Sequence, residues 1–198
     1  MKQPAVYDDE GELIVEEQLE TDEQLRNRYW ITWGALGMGT EDWYKFHALN
    51  ADVGVKNVVA KNTGDAEVTV YIQSETGGGG VPTSALIQTV RDELTLKMRK
   101  VLNDTLIVTP VDTLAYTITG TVRIAAGASD TDTIDELKEA ARLFAQEKEN
   151  IGQFIPLSKI YQALAHPDVI SLDLTSPMAD IAAGDTVVPF LNALTIGL

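Results

Sequence analysis

The chain of 198 residues has no cysteine and only two histidines. Without cysteine it has neither a disulfide framework nor a thiolate metal site. Basic residues are also scarce, since 15 Lys and Arg stand against 30 Asp and Glu and the net charge is -15. A nucleic-acid partner is not expected, because the phosphate backbone needs Lys and Arg to replace its counterions. An anionic membrane surface is disfavoured for the same reason.

The sequence contains no apolar run long enough to cross a bilayer, and its first residues lack the basic-then-apolar order of a signal peptide. Hydrophobic residues make up 44% and charged residues 23%, which is an ordinary globular composition. A chain of this length buries a proper core, either as one domain or as two small ones. These features predict a soluble protein that folds in a cytoplasm.

The acidic residues are unevenly distributed. Residues 1–28 hold nine acids and three bases, a net charge of -6. The sequence predicts an acidic N-terminal arm over residues 1–20, interpreted as solvated and partly disordered. The alternative interpretation is a docking site for a basic partner.

A helical segment is predicted over residues 21–50. Leu25, Tyr29 and Trp33 are spaced by four and therefore line one face of a helix. Three glycines interrupt this helix, after which Thr40 is a suitable N-cap for a second one.

Residues 51–111 read as a first α+β domain. Two β-branched runs are joined by a hairpin signal at residues 62–65, and apolar residues every three or four positions from Leu86 to Val101 predict an amphipathic helix. A further strand is predicted over residues 105–111, with Pro110 at its edge or end.

Residues 112–198 read as a second α+β domain. Alternation predicts a strand from Tyr116 to Ile124, with Gly120 on its apolar face as a bulge or a close backbone approach. Two helices follow, and then strands over residues 170–174 and 194–198, with residues 175–190 as a long connection. The predicted fold class is α+β: two small consecutive units with helices on antiparallel or mixed sheets, preceded by the acidic arm and the helical segment.

Four consecutive glycines, Gly77, Gly78, Gly79 and Gly80, follow a predicted strand and precede a helix. This order is typical of phosphate loops, but no Lys lies near and Pro82 lacks a backbone donor. The G-x-G-x-x-G pattern of dinucleotide sites is absent as well. The run is therefore interpreted as a mobile, exposed connector, with ordering against a neighbour as the alternative, and no nucleotide cofactor is expected.

No catalytic or metal constellation is found. His47 lies in an aromatic helix as a packing residue, and His166 reads as a residue at a helix C-terminus. The acids of residues 130–136 lack the central glycine and terminal glutamate of a calcium loop. No nucleophile elbow is present. We expect no enzyme activity, no metal, no cofactor and no small-molecule substrate.

Aromatic residues are concentrated in fewer than twenty positions. The cluster is a candidate interface with two interpretations, a small core against the first sheet or a surface used by a partner subunit. Its members are Tyr29, Trp30, Trp33, Trp43, Tyr44 and Phe46.

The order of several segments resembles the baseplate J-like family of contractile phage tails. The first are "ETDEQLRNRYW", "YKFHALNADVGVKNVVA", "EVTVYI" and "LIQTVRDEL". The similarity is clearest in "IPLSKIYQALAHPDVISLDLTSPMADI" and "VVPFLNALTI", and it covers residues 20–198. Family members usually have a further N-terminal region, so the chain is expected either to be a fragment or to have that part supplied by another polypeptide.

The resemblance implies a structural role without catalytic residues. Such proteins are wedge subunits that pack around the spike hub and join neighbouring wedges, including copies of themselves, in a ring that anchors the sheath. Expected partners also include sheath-initiator-like and fibre-attachment tail proteins. The expected location is the tail baseplate of the virion, assembled in the host cytoplasm. The alternative is a carbohydrate-binding tail accessory module that uses the tryptophans.

Overall fold

The computed structural model describes residues 6–7, 13–15, 21–22, 25–26, 29–30, 32, 37–96 and 105–198. These residues pack as two compact units. The first unit contains the residues up to Thr76 together with Pro82–Pro110, and the second contains Gly77–Val81 together with Val111–Leu198. No helix in the described part of the chain is long and apolar enough to cross a membrane.

The first unit begins with two short strands that pair antiparallel, β1 (Val6–Tyr7) and β2 (Leu13–Val15). The arm was predicted without strands, but apolar and β-branched residues at both positions favour extended pairing. Residues 22, 25–26, 29–30 and 32 are helical, as the four-residue spacing predicted.

Two helices and three strands form the remainder of this unit. They are α1 (Glu41–Ala51), β3 (Val55–Gly64), β4 (Glu67–Ser74), α2 (Ser84–Thr95) and β5 (Thr105–Pro110). Thr40 caps α1 as predicted, since its Oγ1 accepts from the Trp43 backbone N–H at 3.2 Å. Met98 and Val101 of the predicted helical stripe lie outside the described residues.

The first sheet has the order β3-β4-β5, with β3 and β4 antiparallel and β5 parallel to β4. A single apolar core joins this sheet to α1 and α2. Each of these helices and strands contributes buried side chains to the core. Examples are Trp43 and Tyr44 of α1, Val58 of β3, Ile72 of β4, Leu94 of α2 and Val108 of β5. The helices therefore cover a mixed sheet, as the α+β prediction requires.

The second unit contains strands and helices in mixed order. They are β6 (Asp112–Ile124), α3 (Asp130–Lys148), β7 (Phe154–Ile155), α4 (Leu157–Ala163), β8 (Val169–Ser176), β9 (Ile181–Ala182) and β10 (Val187–Gly197). The strand order β10-β6-β8 places β6 in the centre, parallel to β10 and antiparallel to β8.

The core of the second unit lies between one face of this sheet and the helices α3 and α4. The periodic residues Leu137 and Ala141 of α3 are buried, and so are Ile118 and Val122 of β6. The α+β fold class predicted from the sequence is thus confirmed. The predicted division into domains over residues 51–111 and 112–198 stays a prediction.

The predicted long connection over residues 175–190 is partly wrong. Ile181 and Ala182 pair with β7, and β10 already begins at Val187. Pro189 obscured this start, because proline is depleted in strands. The alternation that begins at Leu194 is only the second half of β10, which has an irregularity between Leu191 and Ala193.

The predicted close backbone approach at Gly120 is confirmed, and it lies between β6 and β8. The register between β6 and β8 shifts between Thr119 and Gly120. A Cβ atom at Gly120 would lie 2.7 Å from the backbone oxygen of Asp173 and 2.9 Å from a side-chain carbon of Leu174. The two strands approach so closely here that only glycine fits.

We predict that Gly120→Ala destabilises the chain by about 1–3 kcal/mol, because the added methyl group must displace the backbone of β8. Urea unfolding followed by circular dichroism measures the effect. The matched control is Gly197→Ala, since a Cβ there has no neighbour within 4 Å. Equal unfolding midpoints for the two variants would contradict the close approach.

Candidate interaction surface

The predicted aromatic cluster is divided by the structure into a buried and an exposed part. Trp43 and Tyr44 are buried in the first core, with 6% and 3% of their surface exposed. Their rings meet edge to face with centroids 5.0 Å apart, and the Trp43 ring also contacts the His47 ring at 4.5 Å. Phe46 is half-buried. α1 thus turns both rings into the core, which agrees with the first of the two interpretations for Trp43 and Tyr44.

Tyr29 and Trp30 are the exposed part. Trp30 is 72% exposed and Tyr29 57%, and their rings meet edge to face at 5.7 Å with an angle of 74°. Leu25, one helical turn before Tyr29, is also 47% exposed. Trp33 lies outside the described residues. Two neighbouring exposed aromatic rings with a leucine on the same segment form a surface suited to contact with another protein.

We name residues 77–81 the glycine turn. The prediction of an exposed connector fails for Gly79 and Gly80, which are buried, whereas Gly77 and Gly78 are exposed. Residues 78–80 form a short turn in which Gly79 and Gly80 have left-handed backbone conformations, with φ of 69° and 68°. A Cβ at Gly78 would lie 3.4 Å from the ring of Phe190, and one at Gly79 only 2.6 Å from Cγ2 of Thr113. The mobility of this segment stays a prediction.

The features of a phosphate site are not brought together at the glycine turn. The backbone N–H of Gly80 is already used, since it donates to the carbonyl of Gly77 at 3.0 Å. The helix that follows, α2, is capped by Thr83, whose Oγ1 accepts from the Leu86 backbone N–H at 3.3 Å. The glycines therefore allow close packing against protein atoms, and the sequence pattern gave no signal for this role.

The two histidines occupy structural positions. His166 Nε2 lies 2.8 Å from an oxygen of Glu136, and its Nδ1 accepts from the backbone N–H of Asp168 at 3.2 Å. The ring thus joins the start of α3 to the segment before β8. Among the described residues, no group of three or more His, Asp and Glu side chains is placed to hold a metal ion.

Tyr116 is a buried titratable group of the second unit. Burial raises its pKa to about 12, and the negative charge of Glu149 contributes in the same direction. A phenol with this pKa is a poor general acid or base near neutral pH. Its place in the second core is therefore structural.

An open groove of about 550 Å³ lies beside β6 and β8 in the second unit, lined by residues that include Thr121, Arg123, Asp130 and Asp173. All four of these side chains are exposed. Ligand sites are usually concave and mostly apolar, with a few convergent polar groups. The groove is open to solvent, and its lining mixes these polar side chains with Val122, Ile124 and Leu198, so it does not enclose a ligand.

The described residues form an α+β protein in which Tyr29 and Trp30 are exposed. No family model matches the chain. It is 25% identical over 173 residues to Baseplate protein J of Escherichia phage P2, which covers 87% of the chain and 57% of that protein.

A similar fold occurs in the cryo-EM structure of the anti-feeding prophage baseplate, 6-fold symmetrised. The TM-score is 0.59 at 11% identity, over 89% of this chain and 43% of that one. The chain thus spans about half the length of the proteins it matches. The likeness to Baseplate protein J confirms the resemblance to baseplate J-like proteins that the sequence predicted, and the structural match agrees with it in fold.

We predict that Trp43→Ala lowers the free energy of unfolding by about 3–5 kcal/mol, because it empties a buried ring position. Trp30→Ala is expected to change it by less than about 0.5 kcal/mol, as for other exposed positions. Urea unfolding of the two variants measures this difference. Equal losses of stability would show that Trp30 is a core residue.

We also predict a loss of stability at high pH that depends on Tyr116. Its pKa is raised in the folded state, so the neutral phenol contributes fully below about pH 10, and the contribution is lost as the pH rises from about 10 to 12. Tyr116→Phe should remove this part of the pH dependence of the unfolding midpoint. Tyr161→Phe, at a partly exposed position, is the control and should keep the wild-type slope. An unchanged slope for Tyr116→Phe would contradict the assignment.

Proposed function

We propose that the chain is a structural subunit of a contractile phage tail baseplate, located in the virion tail. The observation that supports this best is the likeness to Baseplate protein J of Escherichia phage P2 over most of the chain. The shared fold with a second baseplate structure agrees with it. Within the baseplate, the chain is proposed to act as a wedge component that contributes to sheath anchoring.

The proposed role is non-enzymatic and depends on protein–protein contacts. Partners are other wedge subunits, including copies of this chain, the central spike hub, and sheath-initiator-like and fibre-attachment proteins. Tyr29 and Trp30 are the proposed contact residues. A ring of this size presents about 150–250 Å², so covering Trp30 would contribute about 3 kcal/mol before the entropy of association is subtracted.

A carbohydrate-binding module is disfavoured by the placement of the aromatic rings. Such a site uses flat rings in a row, whereas Tyr29 and Trp30 meet at 74°. Trp43 is buried and therefore presents no face to a sugar. The exposed pair is better suited to insertion into an apolar pocket of a protein partner, where Trp and Tyr are frequent hot-spot residues.

The test is reconstitution with the other baseplate proteins encoded in the same phage genome. We expect a blue shift of tryptophan emission on mixing with these proteins and no change with glycans. Trp30→Ala should weaken complex formation about 30-fold or more, as truncation of a hot-spot residue does. Complex formation is measured by sedimentation velocity.

The matched control is Leu143→Ala, which removes an exposed apolar side chain on α3. It should leave complex formation unchanged. Quenching by glycans alone would favour the carbohydrate module. Emission that changes with neither class of partner would contradict the interface at Trp30.

A further inference from the structure

The two three-stranded sheets have four edge strands, β3 and β5 in the first unit and β8 and β10 in the second. Among the described residues, the outer edge of each pairs with no further strand. An unpaired edge is a template for pairing with another chain, so proteins usually protect it with charged side chains, proline, irregularities or covering contacts.

In the first unit, side chains of that unit reach backbone groups of both edge strands. The backbone N–H of Val58 in β3 donates to Oδ1 of Asn57 at 2.8 Å. In β5 the carbonyl of Val108 accepts from Nη2 of Arg91, a residue of α2, at 3.2 Å. Contacts of this kind oppose the addition of a further strand.

In the second unit, β10 is protected in a similar way. The carbonyl of Val187 accepts from the backbone N–H of Gly152 at 2.9 Å, and Pro189 has no N–H to donate. The register irregularity between Leu191 and Ala193 also interrupts this strand.

The strand β8 lacks such protection over its central run, residues 171–174. These four residues pair without irregularity with residues 120–123 of β6. The strand contains no proline, lysine or arginine. Among the described residues, no hydrogen bond from outside the ladder reaches the backbone of the run. Because a strand directs its backbone groups to both edges, those on the outer edge have no partner strand.

The side chains of this run determine what can pair with it. Leu172 and Leu174 pack against the second core but stay half-buried. Ser171 and Asp173 alternate with them and are exposed. Arg123 lies diagonally across the ladder from Asp173, opposite Ser171, and no ion pair joins it to that carboxylate.

We propose that the outer edge of β8 is the docking site of an extended segment of another baseplate protein, which adds to the second sheet as a fourth strand. That the partner is a baseplate protein rests on the proposed function. Main-chain hydrogen bonds to residues 171–174 provide affinity, and alternate side chains provide specificity. The segment has apolar residues opposite Leu172 and Leu174 and a Lys or Arg opposite Asp173, since opposite charges at paired positions stabilise a sheet.

Charge favours a different protein over a second copy of this chain as the source of the strand. Residues 111–198 hold 12 acids and five bases, a net charge of -7. A second copy of β8 has no Lys or Arg to place opposite Asp173. A basic segment also meets Asp130, which lines the same groove as Asp173, and so lowers a repulsion that a second copy would raise.

Hydrogen exchange tests the added strand directly, with the full chain alone and mixed with the other baseplate proteins of the same phage genome. We expect the peptide covering residues 169–176 to exchange about tenfold more slowly in the complex, because its outward N–H groups gain partners. The peptide covering residues 187–197 of β10 is the internal control and should be unchanged. Equal slowing of both peptides would overturn the docking site.

A charge reversal tests the specificity of the site. Asp173→Lys should weaken complex formation about tenfold in sedimentation velocity, because repulsion replaces attraction opposite the partner's cation. Glu139→Lys is the matched control, since it makes the same change of charge at an exposed position of α3 and should leave complex formation unchanged. Equal weakening by the two variants would show that only net charge matters and would overturn the site.

Two further outcomes separate this proposal from the proposed function. A complex that forms without slower exchange of residues 169–176 would overturn the docking site and leave the proposed function in place. If the wild-type chain forms no complex with any of the baseplate proteins, the proposed function fails, and the docking site fails with it.

Discussion

Each unit is organised around a strand that must pair on both of its edges. Buried backbone N–H and C=O groups are costly without partners, so a strand in the middle of a sheet needs neighbours on both sides. In the first unit this strand is β4, between β3 and β5, and in the second it is β6, between β8 and β10. The helices then cover the apolar face that this pairing creates. The close approach at Gly120 follows from the same requirement, since β6 and β8 can pair past an irregularity only if no side chain intervenes.

Hydrophobic spacing, caps and turn residues predicted the helices and strands that depend on residues close in sequence. The cap at Thr40, the hairpin of β3 and β4, and the buried stripes of α2 and α3 all follow from residues close in sequence. The fold class followed from their order.

Contacts between distant residues were not predictable in this way. The glycine turn reads as a flexible connector because four glycines have no side chains, and its packing partners Thr113 and Phe190 lie far along the chain. The start of β10 was missed because Pro189 interrupts the strand pattern. Asp180 provides another example, since its Oδ1 accepts from the first backbone N–H of α4 at Leu157, 2.8 Å away. Nothing in the sequence around Leu157 indicates that partner.

The sequence did not show which rings of the aromatic cluster are buried. Composition alone could not separate Trp43 from Trp30, because both lie in aromatic-rich helical segments. The difference is one of context: α1 packs on the first sheet, and Trp43 faces that core. Trp30 keeps most of its surface exposed. The resemblance to baseplate proteins came from the order of many weakly specific segments, and the likeness over 173 residues agrees with it.

The pairing of β10 with β6 has a kinetic consequence. In the first unit, β3 and β4 are joined by a tight turn, so their pairing closes a very short loop. In the second unit, Asp112 pairs with Val187, and nearly the whole unit must be traversed before that edge of β6 is satisfied. Closing longer loops costs more entropy, and folds with distant pairings form more slowly. The second unit is therefore expected to be the slower one to form, with one edge of β6 unpaired until its last strand arrives.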